Sequence, residues 1–298
     1  METTLTINPN QLYQTMNQLS GNRLSILENA VKTFTEKQAA QASAGLAYYS
    51  IFSIFPLLLV FIAAGSYFID TNQVFNVVTQ FIQQALPISR QVINENLEQI
   101  LQTRGTAGII SILTLLWSAS GMFTNLAYNI NLAWSRASRR NFLQNRLVGL
   151  WMIVALIGLI VFSLILSWIT QRLPHMDIAR ASPTYLFVLR LISALGSWLM
   201  IFLVFFALYH WIPTMHVTWR ATIWGALLAS LAWKAVTAGF TWYLDSRFGR
   251  YQLVYGSLGA IVAFLFLIYI ISLITLFGAH LSAAIEGWER DKVSTAVP

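Results

Sequence analysis

The chain contains no cysteine, and only eleven of its 298 residues are carboxylates. The first absence excludes disulfides, thiolate metal sites and a cysteine nucleophile, while saying little about compartment. The second leaves little material for acid–base chemistry. The four histidines (His175, His210, His216 and His280) form no His-x-His pair and none has a partner at metal-ligand spacing. There is no glycine-rich phosphate loop and no legible Ser/His/Asp grouping. The expectation is a protein without catalytic residues, metal or cofactor. Charge of either sign is also scarce, at 10% of residues, and the net excess of +7 follows no nucleic-acid motif, so no nucleic-acid partner is expected.

Apolar residues are abundant instead. They make up 57% of the chain, and the mean hydropathy is +0.62. Six long apolar stretches run over 42–67, 107–133, 147–170, 189–212, 221–244 and 256–284. Each reaches the ~20 residues that a helix needs to cross about 30 Å of hydrocarbon. A barrel would show alternating segments of about ten residues. The runs here are continuous, as in Leu57-Leu58-Leu59-Val60-Phe61-Ile62. A spanning backbone must satisfy its own hydrogen bonds, so the stretches read as helices. The predicted fold class is all-α, a polytopic membrane protein with six transmembrane helices.

The predicted organisation has three parts. Residues 1–41 form an N-terminal segment with an amphipathic helix, because Leu24, Leu27, Val31 and Phe34 keep helical spacing among charged neighbours. Residues 42–284 form the transmembrane domain, and 285–298 a tail. The first 40 residues show no short apolar run of the signal-peptide kind, so the helix over 42–67 is expected to act as an uncleaved anchor. The insertion 68–106 carries two apolar stripes, at Val74, Val77, Val78, Phe81, Ile82 and Ala85 and at Ile93, Leu97, Ile100 and Leu101, separated by Pro87. Two amphipathic helices are expected there, offering a docking surface for an envelope protein partner.

The segment 134–146 holds Arg136, Arg139, Arg140 and Arg146 and no acid, which places it in the cytoplasm by the positive-inside rule. Both termini are then cytoplasmic, with ten basic residues inside and seven outside. These four arginines are also candidates for binding anionic lipid headgroups.

Polar side chains at membrane depth face protein or water. The second stretch carries Ser111, Thr114, Ser118, Gly121, Asn125 and Asn129 at intervals of three or four, and the fifth carries Ser230, Lys234, Thr237, Thr241 and Asp245. Tyr49 lies on a small or polar edge of the first. Packing alone accounts for most serines and threonines in such stripes. Lys234 stands apart, because it lies near the middle of its span and a central lysine costs about 2.5–3.5 kcal/mol on insertion scales. It is expected to line a polar cavity and attract an anionic group, with Asn125, Asn129, Ser118, Tyr49, Thr237, Thr241 and His280 as further lining candidates. The third stretch, with few polar residues, is expected to face lipid.

Four runs resemble motifs of the YihY/BrkB family: Ala44-Gly45-Leu46-Ala47-Tyr48-Tyr49-Ser50-Ile51-Phe52-Ser53-Ile54-Phe55-Pro56-Leu57, Leu116-Trp117-Ser118-Ala119-Ser120-Gly121-Met122-Phe123, Tyr255-Gly256-Ser257-Leu258-Gly259-Ala260 and Gly278-Ala279-His280-Leu281-Ser282-Ala283. The resemblance covers about 30–285. It implies a bacterial inner-membrane protein of six spans, with some relatives linked to envelope lipid handling. In the last motif the family usually has a glutamate where this chain has His280 and an asparagine where it has Ser282. The family has also carried a ribonuclease label, which the histidine and carboxylate inventory does not support. The function expected from residues and resemblance together is transporter-like: moving or binding an anionic lipid or amphiphile in a polar intramembrane cavity. A non-catalytic envelope scaffold and a small-solute secondary carrier are the alternatives. Partners are membrane lipids, and the sequence leaves the oligomeric state open.

Overall fold

The computed structural model describes residues 23–65, 106–172, 183–245 and 257–296. Among them are seven helices and no strand: α1 (Arg23–Glu36), α2 (Ala39–Gly65), α3 (Thr106–Leu132), α4 (Phe142–Arg172), α5 (Pro183–Trp211), α6 (Trp219–Asp245) and α7 (Ser257–Ala296). The six apolar stretches fall one to a helix, on α2 to α7. The expected amphipathic pair in 68–106 lies outside the described residues. The segment 285–298, expected as a tail, continues α7 without a break as far as Ala296.

The helix ends follow from local chemistry. α1 stops because Gln38 adopts a positive φ of 51°, a left-handed conformation that no helix can continue. Lys37 N–H donates to the Thr33 carbonyl and Gln38 N–H to that of Thr35, both at 3.0 Å. The Gln38 carbonyl then accepts from Ala42 N–H and starts α2. At the head of α4, Asn141 N–H donates to Gln144 Oε1 at 3.1 Å, while the Asn141 carbonyl takes the first helical bond from Asn145. That back-bond from the third helical residue is half of a capping box. Pro213 follows α5, and Thr218 opens α6 by accepting from Thr222 N–H.

α7 is the centre of the bundle. It packs against α6 on one side and α2 on the other, and α1 lies along it. α3 packs between α2 and α4, and α5 packs on α6. Small residues set the closest approach. A Cβ added to Gly225 on α6 would lie 2.6 Å from the Gly278 carbonyl oxygen and 2.8 Å from Ser282 Cβ. With Ala221 and Ala229 one turn to either side of Gly225, this is the small-xxx-small pattern that lets membrane helices touch backbone to backbone. Gly149 does the same for α4, where a Cβ would meet the Ser120 carbonyl oxygen of α3 at 2.9 Å.

Among the described side chains, burial is confined to one end. The buried residues farthest from the α3–α4 and α5–α6 loops are Ser53 on α2, Ala119 on α3, Ile153 on α4, Phe205 on α5, Ser230 on α6 and Ser272 on α7. Beyond them no described side chain is buried. At 1.5 Å per residue, the packed layer is about 20 Å deep along α6 and α7, less than the length of either helix. On α4, expected to face lipid, Trp151 is 71% exposed and Val154 55%.

Candidate functional site

Two polar regions emerge, and they differ in how far their side chains are occupied. The first closes the packed end. Asn131, at the end of α3, donates from Nδ2 to the Ser138 carbonyl at 3.0 Å and accepts at Oδ1 from Thr214 N–H at 2.8 Å. Thr214 Oγ1 also donates to the Ser138 carbonyl. Arg140 donates from Nη2 to the Ile212 carbonyl at 2.5 Å, and burial holds its pKa below the ordinary arginine value. The α3–α4 and α5–α6 loops are thus tied together although α4 and α5 share no extensive contact.

Glu286 of α7 fastens the same loop from the other side. It is 2% exposed, accepts Thr218 N–H at Oε2 (2.7 Å) and pairs with Arg290 Nε at Oε1 (2.8 Å). A carboxylate at the first turn of α6 satisfies an otherwise unpaired donor and meets the positive end of the helix dipole. Thr218 Oγ1 donates to Glu289, and Arg290 Nη2 to the His216 carbonyl. Deeper in the same layer Tyr209, fully buried, donates to the Thr275 carbonyl at 2.8 Å across the Gly278 gap.

The second region is the polar stripe of α6. Ser230 is its last buried residue, and Lys234 lies one turn further, where burial has ended. Lys234 is half-buried and makes no ion pair with a described residue. Thr237 Oγ1 donates to the Trp233 and Lys234 carbonyls and Thr241 Oγ1 to that of Thr237. Both hydroxyls are therefore satisfied within their own helix, as packing would have it. Ser118, exposed on α3, borders the last buried residues of that helix.

The remaining cavity candidates are placed elsewhere. Asn125 and Asn129 sit within the packed layer and bond each other, Asn129 Nδ2 to Asn125 Oδ1 at 2.6 Å. His280 is 2% exposed, with Nδ1 3.2 Å from Thr33 Oγ1 of α1 and its ring edge-on to Phe34. Tyr49 is exposed beside Tyr48. The candidates therefore split between two levels. The arginines split as well: Arg136 and Arg139 are exposed, Arg140 is turned inward, and Arg146 lies 4.3 Å from the Trp117 ring centroid and donates to the Trp117 carbonyl. Among the described residues no three His, Asp or Glu side chains stand close enough to hold a metal ion.

Sequence reasoning missed Glu286, Asn131 and Tyr209. Glu286 with Arg290 four residues on was visible as a helical ion pair, but its partner Thr218 lies 68 residues away. Nothing in the local pattern of Tyr209 announces a bond to α7.

Within the described residues, Phe142–Leu159, Trp219–Trp242 and Val262–Lys292 are long and apolar enough to cross a membrane. With an all-helical architecture, these spans define an integral membrane protein. Residues 30–296 match the model of the family described as Virulence factor BrkB, and the chain belongs to that family. It is similar to the "Putative ribonuclease-like protein YfkH" of Bacillus subtilis, 27% identical over 88% of this chain and 96% of that protein. It is also similar to a "UPF0761 membrane protein" of Haemophilus influenzae (25% identical, 86% of this chain and 93% of that protein) and one of Vibrio vulnificus (29%, 82% and 77%). No solved structure matches the chain.

Proposed function

We propose that this chain is a six-span inner-membrane protein that binds and moves an anionic lipid or amphiphile through a polar cavity at the loosely packed end of its bundle. It has no enzymatic activity of its own. α2 to α7, each of 27 residues or more, are the spans. The arginine-bearing α3–α4 loop faces the cytoplasm, and the termini lie on the same side. The packed, cross-braced layer is then the cytoplasmic floor.

One observation carries the reading. Lys234 stands one turn above the last buried residue of α6, half-buried and without an ion pair to a described residue. A lysine kept at membrane depth needs water or an anion to offset its desolvation. An anionic headgroup meets that need, and exposed apolar side chains on the same helix, such as Leu231 three residues before it, suit the chains of an amphiphile. Arg136 and Arg139, exposed at the floor, attract the same class of headgroup from the cytoplasmic leaflet.

The test is translocation of fluorescent anionic and zwitterionic phospholipids in proteoliposomes, with wild type beside Lys234→Met. Movement by wild type that falls to the empty-vesicle rate in the variant is the expected result. Wild-type movement unchanged in the variant would remove Lys234 from the path. No movement by wild type would refute autonomous translocation.

A further inference from the structure

A recess of about 260 Å³ opens on the outside of the packed layer, where α1, α6 and α7 meet. Its lining is Phe34 of α1, Leu228 and Ala232 of α6, and Leu273, Ile274 and Phe277 of α7. All six are apolar, so water entering it would find no partners. None is among the polar residues of the proposed cavity, and the recess belongs to a different face of α6 from Lys234.

Its depth and surroundings point to one occupant. Phe277 lies nine residues from Glu286 along α7, and Leu228 ten from Thr218 along α6. These two mark its near edge; with Leu273, Ile274 and Ala232 included, at 1.5 Å per residue the recess is centred about 17 Å from the cross-braced end. That is close to half the thickness of the hydrocarbon core, the depth of one leaflet's chains. Lys37 is an electrostatic neighbour of His280, which lies between the recess and that end along α7. Thr33 Oγ1 touches His280 Nδ1, one turn beyond Phe277, and Lys37 follows Thr33 by a further turn, exposed in the α1–α2 junction. Its ammonium can extend toward the headgroup level while its stem covers apolar surface. On the outer side of α1, Leu27 and Val31 remain 46% and 48% exposed. The helix therefore presents apolar surface beyond what it buries against α7.

We infer that this recess seats an acyl chain of an anionic phospholipid from the leaflet at the cross-braced end, with Lys37 meeting the lipid's phosphate. The lipid is a resident one, held on the outside of the bundle and wedged between α1 and α6. It is separate from any cargo near Lys234, and it stands whether or not the protein moves lipid. An apolar crevice gains from every methylene it removes from poorer packing. The lysine contributes the preference for anionic over zwitterionic heads, about fivefold for one charge near the surface.

Native mass spectrometry of the full chain, released from nanodiscs of equal phosphatidylglycerol and phosphatidylethanolamine, tests this directly. Wild type is expected to retain one phosphatidylglycerol. Ala232→Phe fills the recess and should lower retention about tenfold while thermal unfolding stays near wild type. If that variant misfolds, Ile274→Ser removes apolar lining instead and should lower retention in the same direction. Lys37→Gln should keep a bound lipid but lose the headgroup preference. A phosphatidylglycerol carrying a photoreactive chain should label the Leu273–Phe277 segment. Retention unchanged in Ala232→Phe or in Ile274→Ser would overturn the proposal, as would chain labelling elsewhere. Cross-links from this face to a second copy of the chain would overturn it too. A phosphatidylglycerol preference that survives Lys37→Gln would overturn the headgroup assignment.

Discussion

The cross-braced end and the middle of the bundle use similar residues for different purposes. At the cross-braced end Asn131, Thr214, Thr218, Glu286 and Arg290 all make hydrogen bonds within the protein, several of them to backbone groups of a distant loop. One turn above the packed layer, near the middle of α6, Lys234 is half-buried with no described ion-pair partner, on the same helix that Glu286 caps. The difference teaches that polarity at membrane depth is not in itself a mark of function. What separates structural from functional candidates is whether the polar atoms are already satisfied. By that measure Asn125, Asn129 and His280 belong to the architecture, while Lys234 has no ion-pair partner among the described residues and Arg140 Nη1 and Arg146 Nε, though their other nitrogens are bonded, are buried without a hydrogen bond.

The comparison can be broken most severely at the α6–α7 contact. Gly225→Leu forces a side chain against the Gly278 carbonyl oxygen and Ser282. It should destabilise the protein by about 3 kcal/mol, read as a large fall in the thermal unfolding midpoint in detergent. Glu286→Ala comes next. It strands the Thr218 N–H and leaves Arg290 without its carboxylate, for about 2–3 kcal/mol, and proteolysis should then cut first in the α5–α6 loop. Tyr209→Phe removes one buried bond to the Thr275 carbonyl and should cost about 1 kcal/mol, seen as a small midpoint shift without change in expression. Arg136→Gln with Arg139→Gln alters two exposed side chains, so unfolding should stay within about 0.5 kcal/mol of wild type, while binding to anionic vesicles weakens. Lys234→Met should move stability least of all, by a few tenths of a kcal/mol in either direction, and remove translocation altogether. A large stability loss there would put Lys234 on the structural side of the comparison.

Much of the architecture was legible because hydrophobic run length is a local property. The six apolar stretches correspond to α2 through α7, and Leu24 to Phe34 did form a helix, α1. The way α1 docks was less visible. The stripe Leu24, Leu27, Val31 and Phe34 suggested one apolar face, but Ala30 is the buried residue of α1, and Thr33 beside Phe34 bonds His280 of α7. A small residue between two large ones carries no periodic signal. The cross-brace was invisible for another reason. Asn131, Thr214 and Glu286 are separated by about a whole helical hairpin each, and a sequence pattern has no register across such distances. Lys234 was legible because a charge in an apolar run needs no partner to be noticed. That its stripe passes from buried to unburied at Ser230 depends on how far neighbouring helices pack, which only the assembled bundle determines.

The absence of cysteine makes the central claim directly measurable, since any introduced thiol is the only one in the chain. Single substitutions Ser230→Cys, Lys234→Cys, Thr237→Cys and Thr241→Cys in right-side-out vesicles, treated with a membrane-impermeant maleimide, sample α6 from the packed layer outward. The account predicts rapid labelling at 234, 237 and 241 and none at 230, with labelling at 234 slowed by an anionic amphiphile. Unlabelled thiols at 234 and 237, or equal labelling at 230, would contradict a hydrated cavity above a closed floor.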